Sequence, residues 1–247
     1  MRKVVVISDC TDVAFLEMRG VISKYAGDVE YQIEPLVKVD NFSIVNTEFL
    51  VRLIAENYPE GTIIMAIVNP EIDRPERIIG RTKNNIIFEG PNTGAFAWLV
   101  EDFGVEELYE IFDNGFVPFG GKYVHSPTVG NYLSGMHLNE LGEIFPAESL
   151  RPSKIVKGTV VHIDNFGNVK LNYKLDKSLT DGIKFNVRIN GIDHEFLYWR
   201  RMMERNDGEL IIYPGSSLGL VELGMVRGKL TDMIPIQIGD SVLIEEI

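Results

Sequence analysis

Val4-Val5-Val6-Ile7-Ser8-Asp9-Cys10-Thr11-Asp12 is the stretch whose reading decides the fold of the first half of the chain. Four β-branched residues in a row leave no polar face, which is the character of a strand buried on both sides in a parallel sheet. The polar run from Ser8 ends it, and Val13 to Tyr25 then places Phe15, Met18, Val21 and Ile22 at helical spacing. Working outward, strands are predicted at Val29 to Ile33, Thr62 to Val68 and Ile86 to Phe88. Helices are predicted at Phe42 to Asn57, Phe96 to Phe103 and His125 to Leu133, with Val105 to Ile111 a short helix or a strand. Such alternation predicts an α/β N-terminal domain with a mostly parallel sheet over residues 1–150. Glu148 to Lys154 is polar, carries Pro152 and reads as the linker. Over 155–247 short strands dominate (Ile155 to Ile163, Asn168 to Asn172, Ile183 to Ile189, Glu209 to Tyr213, Leu220 to Leu223, Ser241 to Ile244), several separated by glycine turns. They predict a smaller all-β, barrel-like C-terminal domain.

The 247 residues are enough to bury a full core, and 45% hydrophobic with 24% charged residues is a globular balance. A net charge of −12, with Trp199-Arg200-Arg201 the only basic cluster, argues against a nucleic-acid partner. The single cysteine, Cys10, allows no intrachain disulfide and fits a reducing, cytoplasmic location. Met1-Arg2-Lys3 is followed by too short an apolar run for a signal peptide, and Ile63 to Val68 falls far short of the roughly 20 residues that span a bilayer. The expectation is a soluble protein without a membrane partner. No His/Cys/Asp/Glu spacing suggests a metal, and neither a nucleophile elbow nor a dinucleotide or phosphate-loop glycine pattern occurs.

Ligands of open α/β sheets meet the loops after the parallel strands, which makes those loops the candidates here. Asp9 can accept two hydrogen bonds from a vicinal diol such as a ribose; capping of the following helix by Asp9 or Asp12 is the other reading. Asn69-Pro70 follows the Ile63 to Val68 run, and Arg74, Arg77 and Arg81 come next, as an anion clamp or as a solvated loop. Phe119-Gly120-Gly121-Lys122 lets a ligand approach the backbone. In the β half, Asp164-Asn165-Phe166-Gly167-Asn168 combines a charge, a ring and amides at a strand bend. It suits a purine and an ammonium together, or is a plain turn. Pro214-Gly215-Ser216-Ser217 offers hydroxyls and amides for a carboxylate.

These pieces, in this order, resemble the S-adenosylmethionine (SAM) hydrolase, chlorinase and fluorinase family, also called SAM hydroxide adenosyltransferases. Ser8-Asp9, Asp12 and Met18-Arg19-Gly20-Val21-Ile22 resemble its opening Thr-Asp-Phe-Gly…Asp…Met-Lys-Gly-Val-Ile, with a loop two residues shorter between the aspartates. Pro59-Glu60-Gly61-Thr62, Val68-Asn69-Pro70, Pro91-Asn92-Thr93-Gly94, and Ile163 to Asn168 with Asn172 follow the same pattern, as do Pro214-Gly215-Ser216, Glu222, Gly228 and Gly239-Asp240. The resemblance implies a homotrimer with sites between subunits, and SAM or adenosine as the small-molecule nucleoside ligand with no further cofactor. It puts 1–150 on the adenosyl and ribose side and 155–247 on the adenine and methionine side. Asp9 would hold the ribose diol, with Asp12 in the same binding set. Phe166 and Asn168 would line the adenine or the sulfonium, and Asp164 and Ser216 the methionine amino and carboxylate groups.

The hydrolases of that family use an Asp, an Arg and a His to bring water onto the ribose 5′ carbon. Here the Asp position is Asn69, the Arg is Arg77 or, by a one-residue length difference, Glu76, and the His position falls on Gly120. An amide positions water but does not take its proton. His125 or Lys122 is left to fill the vacancy. The implied activity is SAM hydrolysis to adenosine and methionine, with Asn69 and Arg77 as catalytic residues; the alternative is a catalytically silent SAM or adenosine binder.

Overall fold

The computed structural model describes residues 1–72, 74–113 and 115–247. The chain forms two compact units, Met1–Ser153 and Lys154–Ile247.

Eight strands make the sheet of the first unit: β1 (Arg2–Ser8), β2 (Tyr31–Ile33), β3 (Val37–Lys38), β4 (Ile63–Ile67), β5 (Arg77–Thr82), β6 (Ile87–Pro91), β7 (Val105–Ile111) and β8 (Gly142–Ile144). Their order is β2-β1-β4-β6-β5-β7-β8, with β3 also beside β1. Strands β2, β3 and β4 pair parallel to β1, and β6 parallel to β4. Strand β5 runs antiparallel to β6 and β7, and β8 antiparallel to β7. The sheet is therefore mixed, which corrects the expectation of a mostly parallel one.

The reason lies in β5, which the sequence reading left as an arginine-bearing loop. Ile78 and Ile79 are fully buried on opposite faces, and Arg77 is buried with them. Strand β5 ends at Thr82 and β6 begins at Ile87. That gap is closed by the Asn85 N–H on the Thr82 carbonyl and the Ile86 N–H on the Thr82 hydroxyl. A parallel return would need a crossover of a dozen residues or more, so the short turn forces the antiparallel hairpin.

Helices α1 (Val13–Ala26), α2 (Ile44–Asn57), α3 (Ala97–Phe103) and α4 (Ser126–Leu133) cover the sheet. Val4 and Val6 pack with Met18, Ile22, Val129 and Leu133 of α1 and α4. Val5 and Ile7 pack with Val51 and Ile54 of α2 and with Leu99 of α3. Successive strand residues point to opposite faces, so a run without a polar face is what two helical layers require. Val105–Ile111 is a strand. The helix expected from His125 to Leu133 is α4, and one π turn, Gly121–His125, leads into it.

The second unit is a seven-stranded sheet of β9 (Val160–Ile163), β10 (Val169–Leu171), β11 (Lys184–Ile189), β12 (Ile192–Tyr198), β13 (Leu210–Pro214), β14 (Val221–Met225) and β15 (Val242–Glu246), in the order β15-β11-β12-β13-β14-β10-β9. A single-turn helix, α5 (Leu230–Met233), lies between β14 and β15. A bridge between Thr159 and Ser241 joins the starts of the two edge strands and curls the sheet into a half-barrel. Val160, Val187, Phe196 and Leu223 fill it. Strand β12 was not anticipated, because Asp193, His194 and Glu195 mask its pattern. The two-residue turn that makes it, Asn190-Gly191, has φ of 49° and 80°, the conformation that favours Asn-Gly in hairpins. Among the described residues no helix is long and apolar enough to cross a membrane.

Candidate functional site

A cleft of about 420 Å³ opens in the first unit, and its lining includes Asp9, Asn69, Arg77, Phe119, Gly120 and His125. Asp9 follows β1, Asn69 follows β4 and Pro91 ends β6, so the cleft sits at the carboxyl ends of the parallel strands, where such sheets bind ligands. The first turn is pinned from below: the Ser8 hydroxyl donates to the Ile67 carbonyl at 2.9 Å and accepts the Cys10 N–H at 3.0 Å. Asp9 Oδ2 accepts the Phe42 N–H at 2.8 Å, which ties the loop before α2 to the cleft. Burial, and then the Asp9 carboxylate, push the Cys10 thiol up, so it stays protonated and is a poor nucleophile.

Asn69 is exposed, and its Oδ1 accepts the Glu71 N–H at 2.9 Å in a side-chain turn. Its amide nitrogen is the end left to meet a ligand. Arg77 reaches the cleft from the start of β5, and its Nη1 donates to Asp113 at 3.1 Å, a carboxylate also held by Arg74 at 2.6 Å. Burial and then Arg74 lower the pKa of the Arg77 guanidinium, while Asp113 and Glu89 pull it back up. It is a fixed, desolvated cation rather than a solvated loop residue. Gly120 packs against it: a Cβ there would lie 3.0 Å from Arg77 Nη2. The arginine thus borders the space that a side chain at position 120 would enter.

His125 also lines the cleft. It is 4% exposed, and its Nδ1 lies 2.5 Å from Oε1 of Glu89, which is fully buried in β6. The π turn carries His125 into this contact, and single π turns recur at functional sites. Lys122, one turn earlier, points elsewhere, donating to Glu17 of α1 at 2.6 Å. Of the two residues left open for the vacant His position, His125 lines the cleft and Lys122 does not. Asp12 sits ahead of α1 at φ 57°, exposed, off the cleft lining and without a capping hydrogen bond.

In the second unit, Asp164 organises its own loop: Oδ1 accepts the Phe166 and Asn168 N–H groups at 2.9 Å and Oδ2 the Asn168 amide at 3.0 Å. Gly167 has φ 78°, and a Cβ there would meet Thr231 and Lys229 at 2.9 to 3.0 Å, so only glycine closes the turn. The result throws the Phe166 ring outward, 66% exposed. Phe166 and Asn168 line a cavity of about 530 Å³ with Met202, Met203 and Met225. Ser216 is exposed on the β13–β14 turn and does not line that cavity. Behind the loop, Tyr213 donates to Glu222 Oε2 at 2.9 Å and Lys170 pairs with Oε1. Burial and the nearby carboxylates hold the Tyr213 phenol well above its usual range.

Sequence reasoning missed Glu89. The signal was present: a carboxylate directly after Ile86-Ile87-Phe88, inside a run that otherwise reads as buried strand. It also left out Asn41 and Phe42, which line the cleft on a loop that Asp9 holds through the Phe42 N–H. Among the described residues no group of His, Cys, Asp or Glu is arranged to hold a metal ion.

The sequence pattern of the SAM hydroxide adenosyltransferase N-terminal domain matches residues 4–142, and that of the C-terminal domain matches residues 158–243. An (R)-S-adenosyl-L-methionine hydrolase from Methanocaldococcus jannaschii is 27% identical over 176 residues, covering 67% of this chain and 62% of the relative. The chain therefore spans less than two thirds of that relative's length. An uncharacterized conserved protein from Thermotoga maritima has the same fold, with a TM-score of 0.85 and 22% identity over 99% of this chain and all of that one. A conserved hypothetical protein from Thermus thermophilus superposes with a TM-score of 0.80 and 20% identity over the same shares.

Proposed function

The chain belongs to the SAM hydroxide adenosyltransferase family, and from that premise we propose that it binds SAM and hydrolyses it to adenosine and methionine. One observation carries the reading. Asp9, Asn69 and Arg77, drawn from three separate segments, converge on one cleft at the carboxyl ends of the parallel strands. In this mechanism Asp9 takes the ribose diol. Arg77 donates to one lone pair of a water and leaves the other free to attack the 5′ carbon, and the Asn69 amide, whose Oδ1 is held by the Glu71 N–H, borders that water. The C5′–S bond breaks and its electron pair returns to sulfur, which leaves as neutral methionine. Because a sulfonium departs readily, positioning and exclusion of bulk water supply much of the rate.

The remaining contacts are part of the same proposal. Phe166 and Asn168 serve the adenine or the sulfonium, and the exposed ring of Phe166 is free to stack. Asp164 and Ser216 take the methionine amino and carboxylate groups, Asp12 belongs to the ribose side, and the working assembly is a homotrimer. Calorimetric titration with SAM and with adenosine tests the reading, with adenosine and methionine assayed in the same samples. Saturable SAM binding with equal release of both products is expected. Binding without release would reduce the protein to a SAM holder, and absence of binding would overturn the proposal.

A further inference from the structure

Asn69 is an amide and does not accept a proton, yet water attack on a sulfonium must discharge one. The proton acceptor has to come from elsewhere in the cleft. Among the described residues one titratable pair is held there by the core: His125, with Nδ1 against Glu89 Oε1 at 2.5 Å. Both residues are buried, and Glu89 Oε2 has no hydrogen-bond partner among the described residues. A polar pair buried in this way adds little to stability, and apolar residues of similar size serve the core as well or better. Packing alone therefore gives no reason for a carboxylate at the end of Ile86-Ile87-Phe88.

The geometry supplies one. With Nδ1 committed to Glu89, Nε2 is the ring nitrogen available to a ligand, and His125 lines the cleft beside Arg77 and Asn69. We infer that His125 is the proton acceptor of the hydrolytic step and that Glu89 is its positioning residue, together replacing the acceptor lost at Asn69. The inference rests on the SAM-hydrolase reading above. The water oxygen forms the bond to C5′ as the C5′–S bond breaks towards sulfur. The water proton passes to Nε2, and Glu89 stabilises the imidazolium until that proton is released to solvent. SAM and water thereby give adenosine, methionine and one proton.

The charged and titratable groups that share the cleft with the pair are Asp9 and Cys10 after β1, Arg74 ahead of β5 and Arg77 on β5, with Asp113 held by both arginines; Glu17 of α1, which packs on the π turn, is paired with Lys122. Arg77, paired with Asp113, also interacts electrostatically with Glu89.

The test uses the full chain. In the wild type, kcat should rise with pH to a plateau as the base loses its proton. Glu89→Gln keeps the hydrogen bond and removes the charge. It should lower kcat about 10-fold and move the rise to lower pH, with KM for SAM unchanged. The double substitution Glu89→Met with His125→Leu removes both polar groups. It should keep the fold and SAM binding while losing about 100-fold or more in kcat. A double variant within about 3-fold of wild type would overturn the inference and leave the SAM-hydrolase reading intact, as would loss of SAM binding in step with the rate. If the double variant does not fold, the Glu89→Gln profile decides, and an unmoved profile overturns the inference. A wild type that neither binds nor cleaves SAM would overturn both readings together.

Discussion

In the C-terminal unit both oxygens of Glu222 are taken, by Lys170 and by the Tyr213 hydroxyl, and both oxygens of Asp164 accept hydrogen bonds within their own loop. In the N-terminal unit Glu48 and Glu89 are fully buried, and each keeps its Oε2 without a hydrogen-bond partner among the described residues. A carboxylate with every oxygen occupied is a structural clamp. One that is buried with an oxygen to spare costs the fold free energy, and such exceptions cluster where protons or ligands are handled. The two units thus use the same functional group in opposite ways.

The largest expected effect lies on the saturated side. Glu222→Ala leaves the poorly exposed Lys170 cation and the Tyr213 hydroxyl without their partner. Stability in urea should fall by about 4 kcal/mol; a loss under about 1 kcal/mol would mean that the clamp is not structural.

Glu48 is the unsaturated counterpart. Burial raises its pKa to about 7, although the Ser153 hydroxyl and the Trp98 N–H, which Oε1 accepts at 3.1 Å, pull it back. The native state then holds the proton more tightly than the unfolded chain. Stability is complete below the ordinary value of 4.5 and falls as pH rises towards about 7. The loss is at most about 3 kcal/mol. Urea midpoints at pH 4.5 and 8 should show this slope in the wild type and not in Glu48→Gln. An equal slope in the variant would assign the pH dependence to other groups.

The smallest effect of the three is expected at Asp164. Asp164→Ala removes three hydrogen bonds from a single loop. It should cost about 2 kcal/mol and leave the Asp9–Asn69–Arg77 cleft, in the other unit, untouched. A melting curve shows the cost, and an adenosine titration shows whether the exposed Phe166 ring depended on the ordered loop. Unchanged stability would place Asp164 among ligand groups rather than clamps.

The two candidate regions differed in how far they could be read before folding. Asp164 to Asn168 is local: the aspartate, the glycine and the amide that shape the loop are neighbours in sequence, so the bend and its outward ring follow from five residues. The cleft is assembled from segments scattered between Asp9 and His125. Asp9, Asn69 and Arg77 were found through the strand-end rule and the family resemblance, whereas Glu89 was missed although its partner His125 had been singled out. No rule of spacing pairs two residues 36 positions apart on a strand and a π turn.

What the sequence by itself determined was whatever depends on near neighbours. That includes the buried β1 run between two helical layers, the polar break near Lys154, the curled β half and the Asp164 loop. Periodicity and turn chemistry act over a few residues, so they survive without a partner strand. Only the tertiary structure decided that Arg77–Thr82 is an antiparallel strand and that Lys122 turns away to Glu17. It also decided that Glu89 meets His125 beside Arg77, because strand order and burial determine which charges share a desolvated space.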